Sequence, residues 1–150
     1  MARTDFLEIK AEIMVDLAYV ACIEGGVLEQ QALLLFESIR AYTGSFSDAP
    51  IYAYSPRANR DVSDFSKQEM RRLGVVHIDA EHNTHDLEYG TVNRIVAGAH
   101  AERSFGHEVL CIIDSDTFFT GVPDAFSQAE EYDMLARPVD LKGRASSGPE

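Results

Sequence analysis

Val109-Leu110-Cys111-Ile112-Ile113-Asp114-Ser115-Asp116-Thr117-Phe118-Phe119 is the stretch on which the reading of this chain turns. Five consecutive apolar residues, bounded by polar ones, read as a buried strand. Two carboxylates one residue apart then close it. Packing explains such a pair poorly, because like charges this close repel unless a cation lies between them. A divalent metal is the usual cation, and hard carboxylate oxygens suit Mn²⁺ or Mg²⁺. Asp114 and Asp116 are therefore candidate metal ligands, at what reads as a metal–diphosphate site.

Working outward, 150 residues fit one domain, 1–150. The core is expected over about 17–138, with a loose polar tail at 142–150. Apolar residues make up 45% and charged residues 25%, as in ordinary soluble proteins. The net charge of −12 repels nucleic acid, and no basic stripe with interleaved aromatics offsets it. No apolar run approaches the roughly 20 residues that a membrane span requires. Met1-Ala2-Arg3-Thr4-Asp5 lacks the apolar core of a signal peptide. Cys22 and Cys111, both within apolar runs, read as buried thiols of a cytoplasmic protein.

Upstream, strands and helices alternate. Leu17 to Ile23 is a strand ending at Glu24-Gly25-Gly26. A helix follows, with Leu28, Ala32, Leu35, Ile39 and Tyr42 on one face and Gly44 at its C-terminal cap. Ile51 to Tyr54 is a second strand, leading into Ser55-Pro56-Arg57. Ser66-Lys67-Gln68-Glu69 resembles a capping box at or near the start of a second helix ending at Leu73-Gly74. Val75 to Ile78 is a third strand, with Asp79 at its end. Residues 83–88 read as a polar loop, and His82 and His85 as part of a solvated segment with Asp86 and Glu88. A third helix places Val92, Ile95, Val96 and Ala99 on one face and ends near Gly106. After the acidic pair, Gly121-Val122-Pro123-Asp124 turns into a short helix, and Tyr132 to Ala136 reads as a fifth strand.

This order predicts an α/β fold: a three-layer αβα arrangement around a mostly parallel sheet. Ligands of such sheets bind beyond the carboxyl ends of the strands. Glu24, Arg57, Asp79 and the acidic pair all fall at that edge.

The apolar strand, Asp114-Ser115-Asp116 and Thr117-Phe118-Phe119 together resemble the DxD motif of GT-A-fold nucleotide-diphospho-sugar glycosyltransferases. Val20-Ala21-Cys22-Ile23, the helix Glu29 to Arg40, and Ile51 to Arg57 resemble that family's first strand, first helix and second strand. Asn93-Arg94 resembles the place where the family often sets a basic residue near the diphosphate. Asp133 to Pro138 resembles the strand that usually follows the motif.

The resemblance implies Mn²⁺ or Mg²⁺ on Asp114 and Asp116, bridging the phosphates of a nucleoside-diphosphate sugar, with a UDP-sugar the commonest donor. It implies a loop at Cys22, Ile23 and Glu24 along the base, and Arg94, with Arg57 as a weaker second, on the phosphates. Ser115 belongs to the same nucleotide-sugar site. The acceptor is unnamed. The family's C-terminal half, with its acceptor site and catalytic base, is expected to be missing from this chain.

Blander readings stand beside these. Glu24-Gly25-Gly26 could form a simple turn, and Arg57 and Arg94 could be solvated charges. Two other functions also remain open. One is a haloacid-dehalogenase-like phosphohydrolase, which also uses an Asp pair after a strand. The other is a truncated, non-catalytic nucleotide-binding domain.

Overall fold

Leu17-Ala18-Tyr19-Val20-Ala21-Cys22 lacks polar alternation because both of its faces are covered. The computed structural model describes residues 15–84 and 90–136, and this segment forms its first strand, β1 (Leu17–Cys22). β1 pairs in parallel with β2 (Ile51–Ser55) on one side and with β4 (Val109–Ile112) on the other. β2 pairs in parallel with β3 (Val75–Asp79), so the sheet is all parallel with order β3-β2-β1-β4.

The helices divide between the two faces. Leu17, Tyr19 and Ala21 of β1 share a core with α1 (Val27–Tyr42) and with Met70 of α2 (Asp64–Arg72). Ala18 and Val20 point the other way, to Ala97 and Ala101 of α3 (Val92–Ser104). The expected three layers are present. The chain runs outward from β1 to β2 to β3, then crosses back to place β4 on the far side of β1. Strand order therefore reverses between β1 and β4, and a crevice opens beyond the carboxyl ends of those two strands.

Several expectations need correction. The buried stripe of α1 is Ala32, Leu35, Phe36, Ser38 and Ile39. Leu28 and Tyr42, expected on it, are 39% and 47% exposed, and Tyr42 packs instead against Phe118. Gly44 does follow the helix cap Thr43, at φ 62°, which suits glycine. The second helix is capped three residues earlier than expected: the Ser63 hydroxyl accepts from the Ser66 backbone N–H.

On α3 the buried residues are Asn93, Ala97, Gly98 and Ala101, while Ile95 is 65% exposed. Small residues win this face because the helix lies close to the sheet. A Cβ added at Gly98 would stand 2.6 Å from Ile112 Cδ1. His82 is half-buried and not a freely solvated loop residue; its ring packs 4.2 Å from that of His100 and 5.7 Å from that of Tyr54. The Asn83 N–H bond to the Pro56 carbonyl holds this segment against the end of β2. His85, Asp86, Glu88, Arg137, Pro138 and the tail lie outside the described residues.

β4 is an edge strand of the described sheet and only half-buried, and Ile112 is 49% exposed. The expected fifth strand is absent. Residues 132–136 form no ladder, because an apolar groove of about 480 Å³ separates Tyr132, Met134 and Leu135 from Val109 to Ile112. The segment after the acidic pair instead crosses α1. The Phe119 N–H donates to Ser38 Oγ, and Phe126 packs on Phe46 and Tyr19.

Gly25 has a backbone reason for being glycine. A Cβ there would meet the Asp61 carbonyl oxygen at 2.4 Å, and the Gly25 N–H bonds the Arg60 carbonyl at 3.0 Å. The close approach is to the chain itself. Gly25→Ala must push two backbone segments apart, and a loss of about 1–3 kcal/mol is expected, the usual cost of overpacking. Urea unfolding checks it; an unchanged midpoint would mean that the segment yields freely.

Candidate active site

The crevice between the ends of β1 and β4 is a cleft of about 320 Å³. Its walls include Cys22 and Glu24 from the end of β1, Arg57 after β2, Arg94 on α3, and Asp114, Ser115 and Asp116 after β4. Seven of the eight residues expected at the site thus meet there. Ile23 does not. It is wholly buried in the α1-side core, its N–H bonds the Tyr54 carbonyl, and its own carbonyl accepts from Ser55 Oγ. Ile23 follows the end of β1 and faces the α1-side core, while Cys22 and Glu24 on either side of it line the cleft. Asp79 ends β3, with β2 and β1 between it and the strand that leads to the acidic pair, and does not line the cleft.

The acidic pair is held by backbone on both sides. The Ile113 N–H bonds the Val20 carbonyl at 2.9 Å, and the Thr117 N–H bonds the Asp114 carbonyl at 3.1 Å. Asp114 and Asp116 are both exposed to the cleft. Arg94 forms an ion pair with Asp114. Asp116 makes no ion pair among the described residues.

Glu24 differs from its sequence reading. Its carboxylate is 2% exposed, forms an ion pair with Arg57 and accepts from Asn93 Nδ2 at 3.0 Å. Asn93 Oδ1 in turn accepts from Asn83 Nδ2 at 2.9 Å. The hydrogen bond to Glu24 raises the Arg57 pKa above its ordinary value, so this arginine is a fixed cation. Burial first, and then the negative charges of Glu24 and Asp114, push the Cys22 thiol up to about 12. Cys22 is thus a neutral wall of the cleft and no thiolate.

Sequence reading missed Leu28, Gln31, Gly90 and Thr91, which also line the cleft. Leu28 and Gln31 lie three apart on the first turns of α1, where helical periodicity assigned Leu28 to the core. Asn93 was expected only as the neighbour of Arg94. A polar residue on a helix face otherwise made of Ala and Gly was the available signal.

Among the described residues, no group of three or more His, Cys, Asp and Glu side chains could hold a metal ion. A site of two carboxylates still fits Mg²⁺ or Mn²⁺, which are commonly held by one or two protein oxygens with phosphate and water completing the shell. Asp114 and Asp116 supply that donor set at the mouth of an open cleft.

The model of the Rhodobacterales glycosyltransferase domain matches residues 19–142. The chain belongs to that family. No curated protein matches it. As a glycosyltransferase domain it is a transferase, and its substrates are a sugar donor and an acceptor. The matched span begins in β1 and takes in every element that builds the cleft. This membership supports the glycosyltransferase reading over the phosphohydrolase one. No helix among the described residues is long and apolar enough to cross a membrane.

Proposed function

We propose that this glycosyltransferase domain is of the GT-A type and that its cleft binds a nucleoside-diphosphate sugar. Asp114 and Asp116, as a DxD motif, would hold Mn²⁺ or Mg²⁺. The observation that carries the reading is the charge arrangement at the strand-order reversal. Three cleft carboxylates face two guanidiniums: Glu24 is balanced by Arg57, Asp114 by Arg94, and Asp116 is left over. Such a cleft repels a diphosphate until a cation joins it. Metal-dependent binding follows from that imbalance.

A metal held there supplies Lewis-acid stabilisation of the charge that develops on the departing nucleoside diphosphate. The chain's own residues do the rest. Asp114 and Asp116 are oriented by the end of β4 and by the turn to Thr117. Arg94, released from Asp114, lies within the cleft and can donate to phosphate oxygens. Leu28 and Cys22 give the walls apolar and neutral surface for the nucleoside. Uridine is the base we favour, with the sugar and acceptor left to assay.

Incubation with UDP-sugars and Mn²⁺ tests the activity directly. Slow release of UDP, abolished by a chelator, is expected even without acceptor. Metal-linked UDP binding with no release from any donor would favour a nucleotide-binding domain without turnover.

A further inference from the structure

We infer that Glu24 and Asn93 are positioning residues that set where Arg94 stands in the cleft, rather than contacts to the donor. The inference rests on the donor-site reading above and assigns its buried polar groups a task. Glu24, Asn93 and Asn83 are 2%, 4% and 2% exposed, and Arg57 joins them through its ion pair with Glu24. Each comes from a different segment at the carboxyl edge: the end of β1, the first turn of α3, the segment after β3, and the loop after β2. One buried carboxylate, directly through Arg57 and Asn93 and through Asn93 to Asn83, thus links the ends of β1, β2 and β3 to α3.

Stability is a weak reason for such a group. A buried ion pair often contributes no more than well-packed apolar side chains of the same volume, and its better-attested use is to fix register. Here register needs fixing. α3 meets the sheet through Ala97, Gly98 and Ala101, which lie beyond its first turn, so the Asn93 contacts help to seat that turn. The Asn93 amide is oriented at both ends, donating to Glu24 and accepting from Asn83. Arg94 is the next residue, and its ion pair with Asp114 spans from α3 to the end of β4. A shift of α3 by a fraction of a turn would carry Arg94 away from the acidic pair.

A double-mutant cycle on UDP binding in Mn²⁺ tests this. Asn93→Ala leaves the Glu24–Arg57 pair in place and removes only the tether of α3. It is expected to weaken UDP binding roughly tenfold, as groups that orient a ligand's contacts commonly do. Arg94→Ala and the Asn93→Ala/Arg94→Ala double variant should then bind UDP alike, because Asn93 acts through Arg94. Asn93→Ser, too short to reach Glu24, carries the same cycle if Asn93→Ala does not fold. An unchanged affinity in the single variant, or losses that multiply in the double variant, would overturn the inference. Absence of metal-linked UDP binding by the unmodified chain would instead overturn the donor reading, and this inference with it.

Discussion

Asp116→Ala is expected to weaken UDP binding in Mn²⁺ by on the order of 100-fold and to tighten the weak metal-free binding slightly, because the charge that repels the diphosphate is gone. The reason is electrostatic. Asp114 is already balanced by Arg94, so Asp116 carries the uncompensated charge that draws a cation into the cleft. Removing it leaves a site of matched charges, in which the one remaining carboxylate, Asp114, is already paired with Arg94. The substitution should cost the fold little. Asp116 is exposed, lies beyond the last ladder position of β4, and its loss strands no buried group. A thermal midpoint close to that of the unmodified chain, together with lost binding, separates a ligand role from a structural one. Equal metal-linked affinity in the variant would move the cation elsewhere.

Arg94→Ala is expected to move two affinities in opposite directions. Without nucleotide, Arg94 competes with the metal for Asp114. The pair is about half-exposed, so its loss should tighten Mn²⁺ binding only up to about fivefold. With nucleotide, the displaced guanidinium has phosphate oxygens to bond, and a charge-assisted hydrogen bond is the strong kind. UDP affinity in saturating Mn²⁺ should therefore fall roughly tenfold or more. Paired titrations with Mn²⁺ alone and with UDP in Mn²⁺ check both signs. Parallel loss of both affinities would mean that Arg94 supports the acidic pair and does not compete for it.

The fold class was legible because each signal was local and repeated. Val20-Ala21-Cys22-Ile23 and Ile51 to Tyr54 carry continuous apolar runs that only doubly covered strands tolerate, and helical spacing lies between them. The place of the acidic pair followed from the rule that parallel sheets bind ligands at their carboxyl edge. Sidedness was not legible. The apolar run at Val109 to Ile113 reads the same at the edge of a sheet as at its centre, and only the strand order made β4 an edge. On α3, Ile95 scored as core by hydropathy, yet the sheet wanted Ala97 and Gly98, because closeness of approach selects for size.

The site was partly legible for the same reason. Asp114, Asp116 and Arg94 are polar residues without local partners in sequence, and such groups draw attention. Glu24 and Arg57 both reach the cleft, but their pairing with each other was not legible. Their ion pair joins residues 33 apart in sequence, and the buried asparagines that complete it come from two further segments. A network assembled across four segments leaves no spacing to read. Gly25 likewise read as part of a turn, while its close approach is to the Asp61 carbonyl, 36 residues along the chain.

Calorimetric titration of the folded chain with UDP, with and without Mn²⁺, tests the central claim most directly. The charge arrangement of the cleft predicts binding in Mn²⁺ and little or none in its absence. Equal affinity in both conditions, or no binding in either, would contradict a metal–diphosphate site at Asp114 and Asp116.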